Sequence, residues 1–394
     1  MSLDEFLSVQ RDIEDAARPR RSHPKGWEPG VDTAKGVVVA ASDSGDPPSD
    51  WSEIIRELGL DPSAWTVDES QPVQVRTWDS GDRRMYYYRA TVVPVGNATD
   101  VPDIDALIRE VKRLKRKPSG TALDNPRAMV ICLADWQAGK ADGGGAKALA
   151  ERLFELREAV PARVRELKKL GRPVDQLLIV GLGDLLENCD GHYPMQTWSA
   201  ELDRREQERF VRRMLTKLLT RWAPLAPRVV VACVPGNHGE NRKNGKAFTS
   251  FEDNADLAVF DQLQEILAQN EDVFGHVSFV IPSGDMSCTL DVCGTIVAFA
   301  HGHQARRGAT PQARLLNWWQ DKMRSRHPVG DADVLVTGHY HYLQAVQDGP
   351  RTWFQAPAND GGSRWFEERG GSSTVCGTLT FVVDGNGWSD LAVL

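Results

Sequence analysis

From residue 126 onward, short unbroken apolar runs alternate with longer stretches whose apolar positions recur every three or four residues. The runs are AMVICLA, QLLIVGLG, RVVVACV, TIVAFA and DVLVTG, with TWFQAPA and VCGTLTFVVD in the tail. Continuous apolar strands are the mark of sheets covered on both faces. The intervening segments, near 145–169, 201–222, 254–269 and 311–325, carry helical periodicity; in the second, Phe210, Val211, Met214, Leu215, Leu218, Leu219 and Trp222 share one face. The pattern predicts an α/β domain of mixed α+β character over 126–394, with helices covering the sheets.

Upstream the rhythm differs. Residues 18–50 are rich in Pro, Gly, Ser and Asp, so 1–50 is expected to be poorly ordered or extended, with one short strand at GVVVA. Residues 51–125 read as a small α+β module. WSEIIRELGLDPSAW has Trp51, Ile54, Ile55 and Leu58 at helical spacing and Gly59 placed to end the helix. VQVRTWDSGDRRMYYYRATVVPV is two β-rich runs around Asp79-Ser80-Gly81-Asp82, a hairpin signal. A last helix, DIDALIREVKRLKRKPSG, aligns Ile104, Leu107, Ile108, Val111 and Leu114, with Asp103 as N-cap and Pro118 as stop. Its basic end, Lys112, Arg113, Lys115, Arg116 and Lys117, suits a solvated helix terminus or, beside the basic and aromatic hairpin, a nucleic-acid backbone.

Composition narrows this only a little. With 41% hydrophobic and 26% charged residues the chain is ordinary for a soluble protein, and no run nears the roughly 20 apolar residues that span a bilayer. A net charge of −8 opposes wholesale coating of nucleic acid but permits a local basic patch. The six cysteines form no CxxC pair and several lie inside apolar runs, which fits reduced thiols and a cytoplasmic setting.

The chemistry sits where the apolar runs end. Asp135 follows the first; Asp184, Glu187 and Asn188 follow the second; Asn237, His238 and Glu240 the third. His301 and His303 follow the fourth, and His339 and His341 the fifth. Ligands of α/β folds collect outside the carboxyl ends of strands, so five ends would deliver mixed oxygen and nitrogen donors to one rim. Such a set suits divalent manganese, iron or zinc, and two ions account for it more easily than one.

The series DWQ, GDLLEN, GNH, HGH and GHYH resembles, in order and over about residues 126–360, the motifs of the calcineurin-like metallophosphoesterases. The longer pattern looks most like phosphoesterases encoded by actinobacterial phages, some of which serve as recombination directionality factors for serine integrases. The resemblance implies a four-layer α-β-β-α sandwich holding two divalent ions, manganese first, with iron, zinc or magnesium as alternatives. Asp184 would bridge them; Asp135, Gln137 and His341 would complete one shell, and Asn237, His301 and His339 the other. His238 would protonate the leaving oxygen while a hydroxide held between the metals attacks phosphorus in line. Asn188, Glu240, Arg242, His303, His192 and Lys140 would support the site or meet the substrate.

Two positions depart from that family. Gln137 stands where it has histidine, which should weaken the first ion. Gly239 stands where it has Asp or Glu after GNH, which puts the support of His238 in question. Lys140 and Gly143–Gly145 could meet a phosphate or form a mobile loop; His192, Tyr193, Gln196, Trp198, Arg242, Lys243, Arg364 and Trp365 could bind a nucleotide or pack rim loops. The implied function is hydrolysis of a phosphate ester, on nucleic acid or a nucleotide. The rival is a DNA-transaction accessory protein that uses the fold to bind a partner such as a serine integrase.

Overall fold

The computed structural model describes residues 23–33, 36–43, 45–48, 50–62, 65–67, 72–80, 83–94, 104–118, 120–193, 196–362 and 375–394. Expectations for residues 1–22, Asp103, Arg364 and Trp365, and for the Trp198 side chain, lie outside the described residues. The chain divides into two compact units, Met1–Asp100 and Val101–Leu394.

The smaller unit is a five-stranded antiparallel sheet, β1 (Gly30–Asp32), β2 (Val37–Ser42), β5 (Arg83–Pro94) and β3 (Trp65–Val67) in order, with β4 (Gln74–Ser80) also on β5. The expected hairpin is present, with Ser80 paired to Arg83. Helix Ser52–Glu57 follows its apolar spacing and stops at Gly59, whose φ of 89° a side chain would resist. It sets Ile55 against Val38, Val67, Ala90 and Val92. The run at GVVVA is therefore more than a short strand in an extended segment: with Val38 inside, β2 is built into the sheet.

In the larger unit, β6 (Ala128–Leu133), β7 (Gln176–Gly181), β8 (Arg228–Cys233) and β11 (Val277–Val280) run parallel, and β17 (Leu379–Asp384) and β18 (Gly387–Val393) extend the sheet antiparallel, in the order β11-β8-β7-β6-β17-β18. A two-residue hairpin of β9 (Arg242–Lys243) and β10 (Lys246–Ala247) follows β8. The second sheet runs β12 (Ser287–Val292), β13 (Thr295–Ala300), β14 (Val334–Thr337), β16 (Arg351–Gln355), β15 (Gln344–Asp348).

Strand alternation divides the core into layers. Met129, Ile131 and Leu133 face outward under helices Gly145–Lys169, Arg204–Trp222 and Ala255–Leu267. Ala128, Val130 and Cys132 face inward onto Val297, Phe299, Val336 and Phe354 of the second sheet. Helix Pro311–Arg324 closes the far side, packing Leu315 and Trp319 on Leu335 and Trp353. Each fully buried Val, Leu or Ile contributes about 1.5–3 kcal/mol, which is why both faces of β6 to β8 are apolar. The result is the four-layer α-β-β-α sandwich.

Helix Ile104–Arg113 differs from the expectation that residues 51–125 form one module. Leu107 and Val111 are buried in the same cluster as Val259 and Leu263 of helix Ala255–Leu267, so the helix belongs to the larger unit. It also ends earlier than its basic run. Asn270 Nδ2 donates to the carbonyls of Val111 and Leu114 at 2.8 and 3.1 Å, capping it before Lys115, Arg116 and Lys117, which are exposed.

Candidate metal centre

The carboxyl ends of β6, β7, β8, β13 and β14 meet at one rim, and the backbone there is unusual. Among the described residues ten non-glycine residues have φ between 44° and 78°, and six of them are Asp135, Gln137, Asp184, Asn188, His339 and His341. Left-handed backbone costs of order 1 kcal/mol or more per residue, and its concentration here marks a rim of tightly turned strand ends. Asp256, at the start of helix Ala255–Leu267, holds the turns in place: its carboxylate accepts from Asp184 N at 2.9 Å, Leu185 N at 3.0 Å and Gly236 N at 3.1 Å. No sequence motif signals Asp256.

One group of donors converges. Asp184, His301 and His339 each offer an atom within 4.8 Å of the others. His301 Nε2 lies 3.0 Å from Asp184 Oδ2 and 3.1 Å from Asn237 Oδ1. Its Nδ1 donates to the Leu182 carbonyl at 2.7 Å, which fixes the ring with Nε2 toward the other groups; a metal would take the place of the proton on that nitrogen. Burial opposes charge on His301, but Asp184 outweighs it and raises the ring to about 9. Burial and the neighbouring His301 drop His339 to about 3. Burial likewise opposes ionisation of Asp184, yet His301 and His238 hold its carboxyl well below the usual range. A buried carboxylate, an amide oxygen and two imidazoles facing one point fit a divalent cation by donor type and spacing.

The other expected shell is arranged differently. Asp135 accepts the His339 backbone N–H on both oxygens, at 3.2 and 3.0 Å, and His341 Nε2 is 3.3 Å from its Oδ1. His341 Nδ1 lies 3.6 Å from Asp360. Gln137 Oε1 accepts from Lys140 Nζ at 3.1 Å, and the same ammonium pairs with Asp360. Asp360, at a sixth strand end just past β16, was missed; a carboxylate closing the apolar run TWFQAPA was its only signal.

His238 stands beside these groups. Its N–H donates to Asp184 Oδ1 at 2.7 Å, its Nδ1 to the Glu187 carbonyl at 2.7 Å, and Glu187 Oε2 lies 3.4 Å from Nδ1. Glu187 is buried, accepts from the Tyr193 hydroxyl, and burial pushes its carboxyl up. The ring of His238 is thus fixed by the backbone carbonyl of Glu187, with the carboxylate close by but not hydrogen-bonded to it. Asn188 Nδ2 donates to the carbonyls of His238 and Glu240 at 3.0 and 3.2 Å. His192 stacks on His238 at 4.2 Å with neither ring nitrogen bonded. His303, also without a hydrogen-bond partner, has Nε2 3.6 Å from Glu240, and Arg242 is occupied by Glu240 at 2.8 Å. Gln196 bonds the Glu187 carbonyl, a packing role.

No family model and no curated protein matches the chain. Solved structures with a similar chain path include a conserved uncharacterized protein of Streptococcus pneumoniae, described as a predicted phosphoesterase, at 14% identity and TM-score 0.29, covering 66% of this chain and 84% of that one. Vps29 of Entamoeba histolytica, solved with zinc, is 12% identical at TM-score 0.30, covering 67% and 98%. An archaeal phosphodiesterase is 10% identical at TM-score 0.30, covering 68% and 99%. Likeness this slight decides nothing about activity.

Proposed function

We propose that the larger unit is a divalent-metal-dependent phosphoesterase of the calcineurin-like class. The observation that carries the reading is the convergence of Asp184, Asn237, His301 and His339 beside a histidine, His238, whose ring is held by the backbone carbonyl of Glu187. Those four residues would hold the ion, manganese being the first choice, and when bound it would polarise a phosphoryl oxygen and lower the pKa of water. Asp184 also fixes His238 through its backbone N–H. With Nδ1 engaged by Glu187, the opposite nitrogen of His238 is left to give a proton to the leaving oxygen. His192 stacks on His238, and its ring nitrogens, like those of His303, are buried without a hydrogen-bond partner.

Nucleic acid or a nucleotide is the proposed substrate. Lys243 and Lys246 are exposed on the hairpin that follows His238, and Lys115, Arg116 and Lys117 are exposed past helix Ile104–Arg113. The test is cleavage of bis(p-nitrophenyl) phosphate and of single- and double-stranded DNA by the full chain with Mn²⁺. His238→Ala should lower the rate at least about 100-fold, the usual scale for losing a positioned proton donor, and Asp184→Asn should lower it by weakening the hold on the ion. A protein that binds metal but cleaves none of these substrates would overturn the reading.

A second reading is favoured by the engagement of Gln137 with Lys140, which removes a donor from the site. In it the fold binds a protein partner in a DNA transaction, such as a phage serine integrase, and hydrolysis is dispensable. Function in the cell that survives Asp184→Asn and His238→Ala would select it. Among the described residues no helix is long and apolar enough to cross a membrane.

A further inference from the structure

We infer that the ammonium of Lys140 takes the place of one of the two metal ions, so that the centre holds a single divalent cation at Asp184, Asn237, His301 and His339; the inference rests on the metal-centre reading above. Gln137 Oε1, a donor expected for the first ion, is bonded to Lys140 Nζ at 3.1 Å. Lys140 and Asp360 form an ion pair whose side chains are only 12% and 4% exposed. Both expected carboxylate and imidazole partners on this side are also engaged: Asp135 by the His339 N–H, and His341 by Asp135 and Asp360. A divalent cation among these atoms would face a fixed ammonium in a region of low water content, where like charges repel strongly.

The lysine is built in rather than resting there. Its N–H donates to the Gln137 carbonyl at 3.0 Å, and Lys140 bridges to Ala200. The loop that carries it touches the loop that carries Asp360 so closely that a Cβ on Gly143 would sit 2.8 Å from the Gly361 carbonyl carbon. Arg152 ties the two loops, donating to Asn359 O at 2.8 Å and Gly143 O at 3.4 Å. Lysine is a compact point charge, so it can supply the electrostatic part of a metal's role on this side without its coordination chemistry. Gln137 then reads as a residue matched to Lys140, its amide oxygen accepting from the ammonium.

Metal stoichiometry tests this without reference to turnover. The full chain, dialysed against Mn²⁺ and analysed for metal content and by calorimetric titration, should bind one ion per chain, and Asp184→Ala should bind none. Gln137→His combined with Lys140→Met should bind two. Where that variant fails to fold because Asp360 is left unpaired, Gln137→His/Lys140→Met/Asp360→Asn, which removes both buried charges, carries the same expectation. Two ions in the wild-type chain with dissociation constants within tenfold, or one ion in every variant, overturns the role of Lys140 and leaves the phosphoesterase reading intact. No ion in the wild-type chain overturns both.

Discussion

A side chain at position 239 has nowhere to go: a Cβ there would lie 2.2 Å from Asn254 Oδ1 and 2.9 Å from Asp256 Oδ2. Those two atoms are in use. Asn254 Oδ1 caps helix Ala255–Leu267 at Asp256 N, and Asp256 holds the turn of Asp184. The departure at Gly239 is thus steric, and the His238 ring is held instead by the backbone carbonyl of Glu187. Gly239→Asp should destabilise the larger unit by about 1–3 kcal/mol, the usual cost of overpacking, read as a lower urea midpoint. An unchanged midpoint would mean that Asn254 yields freely. His192 makes a second prediction at this scale. Burial, then the neighbouring His238 and Arg242, push its ring down to about 3, while Asp184 and Glu240 pull the other way. Below about pH 6.5 the unfolded chain takes up a proton that the folded ring refuses, so stability falls as pH drops from 6.5 toward 3. His192→Phe keeps the stack on His238 and should narrow the gap between urea midpoints at pH 7.5 and pH 5. A gap as wide as the wild type's would show that other groups set the acid sensitivity.

Among elements, helix Ile104–Arg113 shows what periodicity can and cannot convey. Its apolar stripe was legible, but a stripe does not say which surface it covers, and chain proximity suggested the wrong one. Leu107 is 1% exposed against the larger unit. Leu107→Ala should therefore cost that unit about 2–5 kcal/mol, seen by circular dichroism as a lower denaturant midpoint of its helices, whereas packing within residues 51–125 would leave it unmoved. The strands repeat the lesson. β6 and β7 are buried at every position, β8 at all but its first, and each was readable as an apolar run. β11 and β12, with only partial and irregular burial, gave no such run. Candidate site residues behave likewise: Asp135, Asp184, Asn237, His238, His301, His339 and His341 are legible as candidates because each follows an apolar run. Glu187 was noticed at its strand end without its task, and Asp360 and Asp256 went unread because their roles exist only through contacts distant in sequence.

For the larger unit as a whole, the candidate ion has a mechanical consequence. Asp184 and Asn237 follow β7 and β8 of one sheet, while His301 and His339 follow β13 and β14 of the other. A cation shared by the four would tie the two sheets together at the rim, where the core between them, built of Val130, Val180, Phe299 and Phe354, gives way to polar side chains. Because an unfolded chain brings no such donors together, binding adds directly to stability. At a free concentration 100 times the dissociation constant the gain is about 2.7 kcal/mol. For a unit of this size that corresponds to a rise in thermal midpoint of about 3–6 °C. Mn²⁺ should raise the midpoint of the full chain by that amount, EDTA should reverse it, and Asp184→Ala, His301→Ala and His339→Ala should each abolish it. Were the ion held by one sheet alone, the alanine variants on the other would keep the shift, and the shared centre would be lost as an explanation of how these strand ends converge.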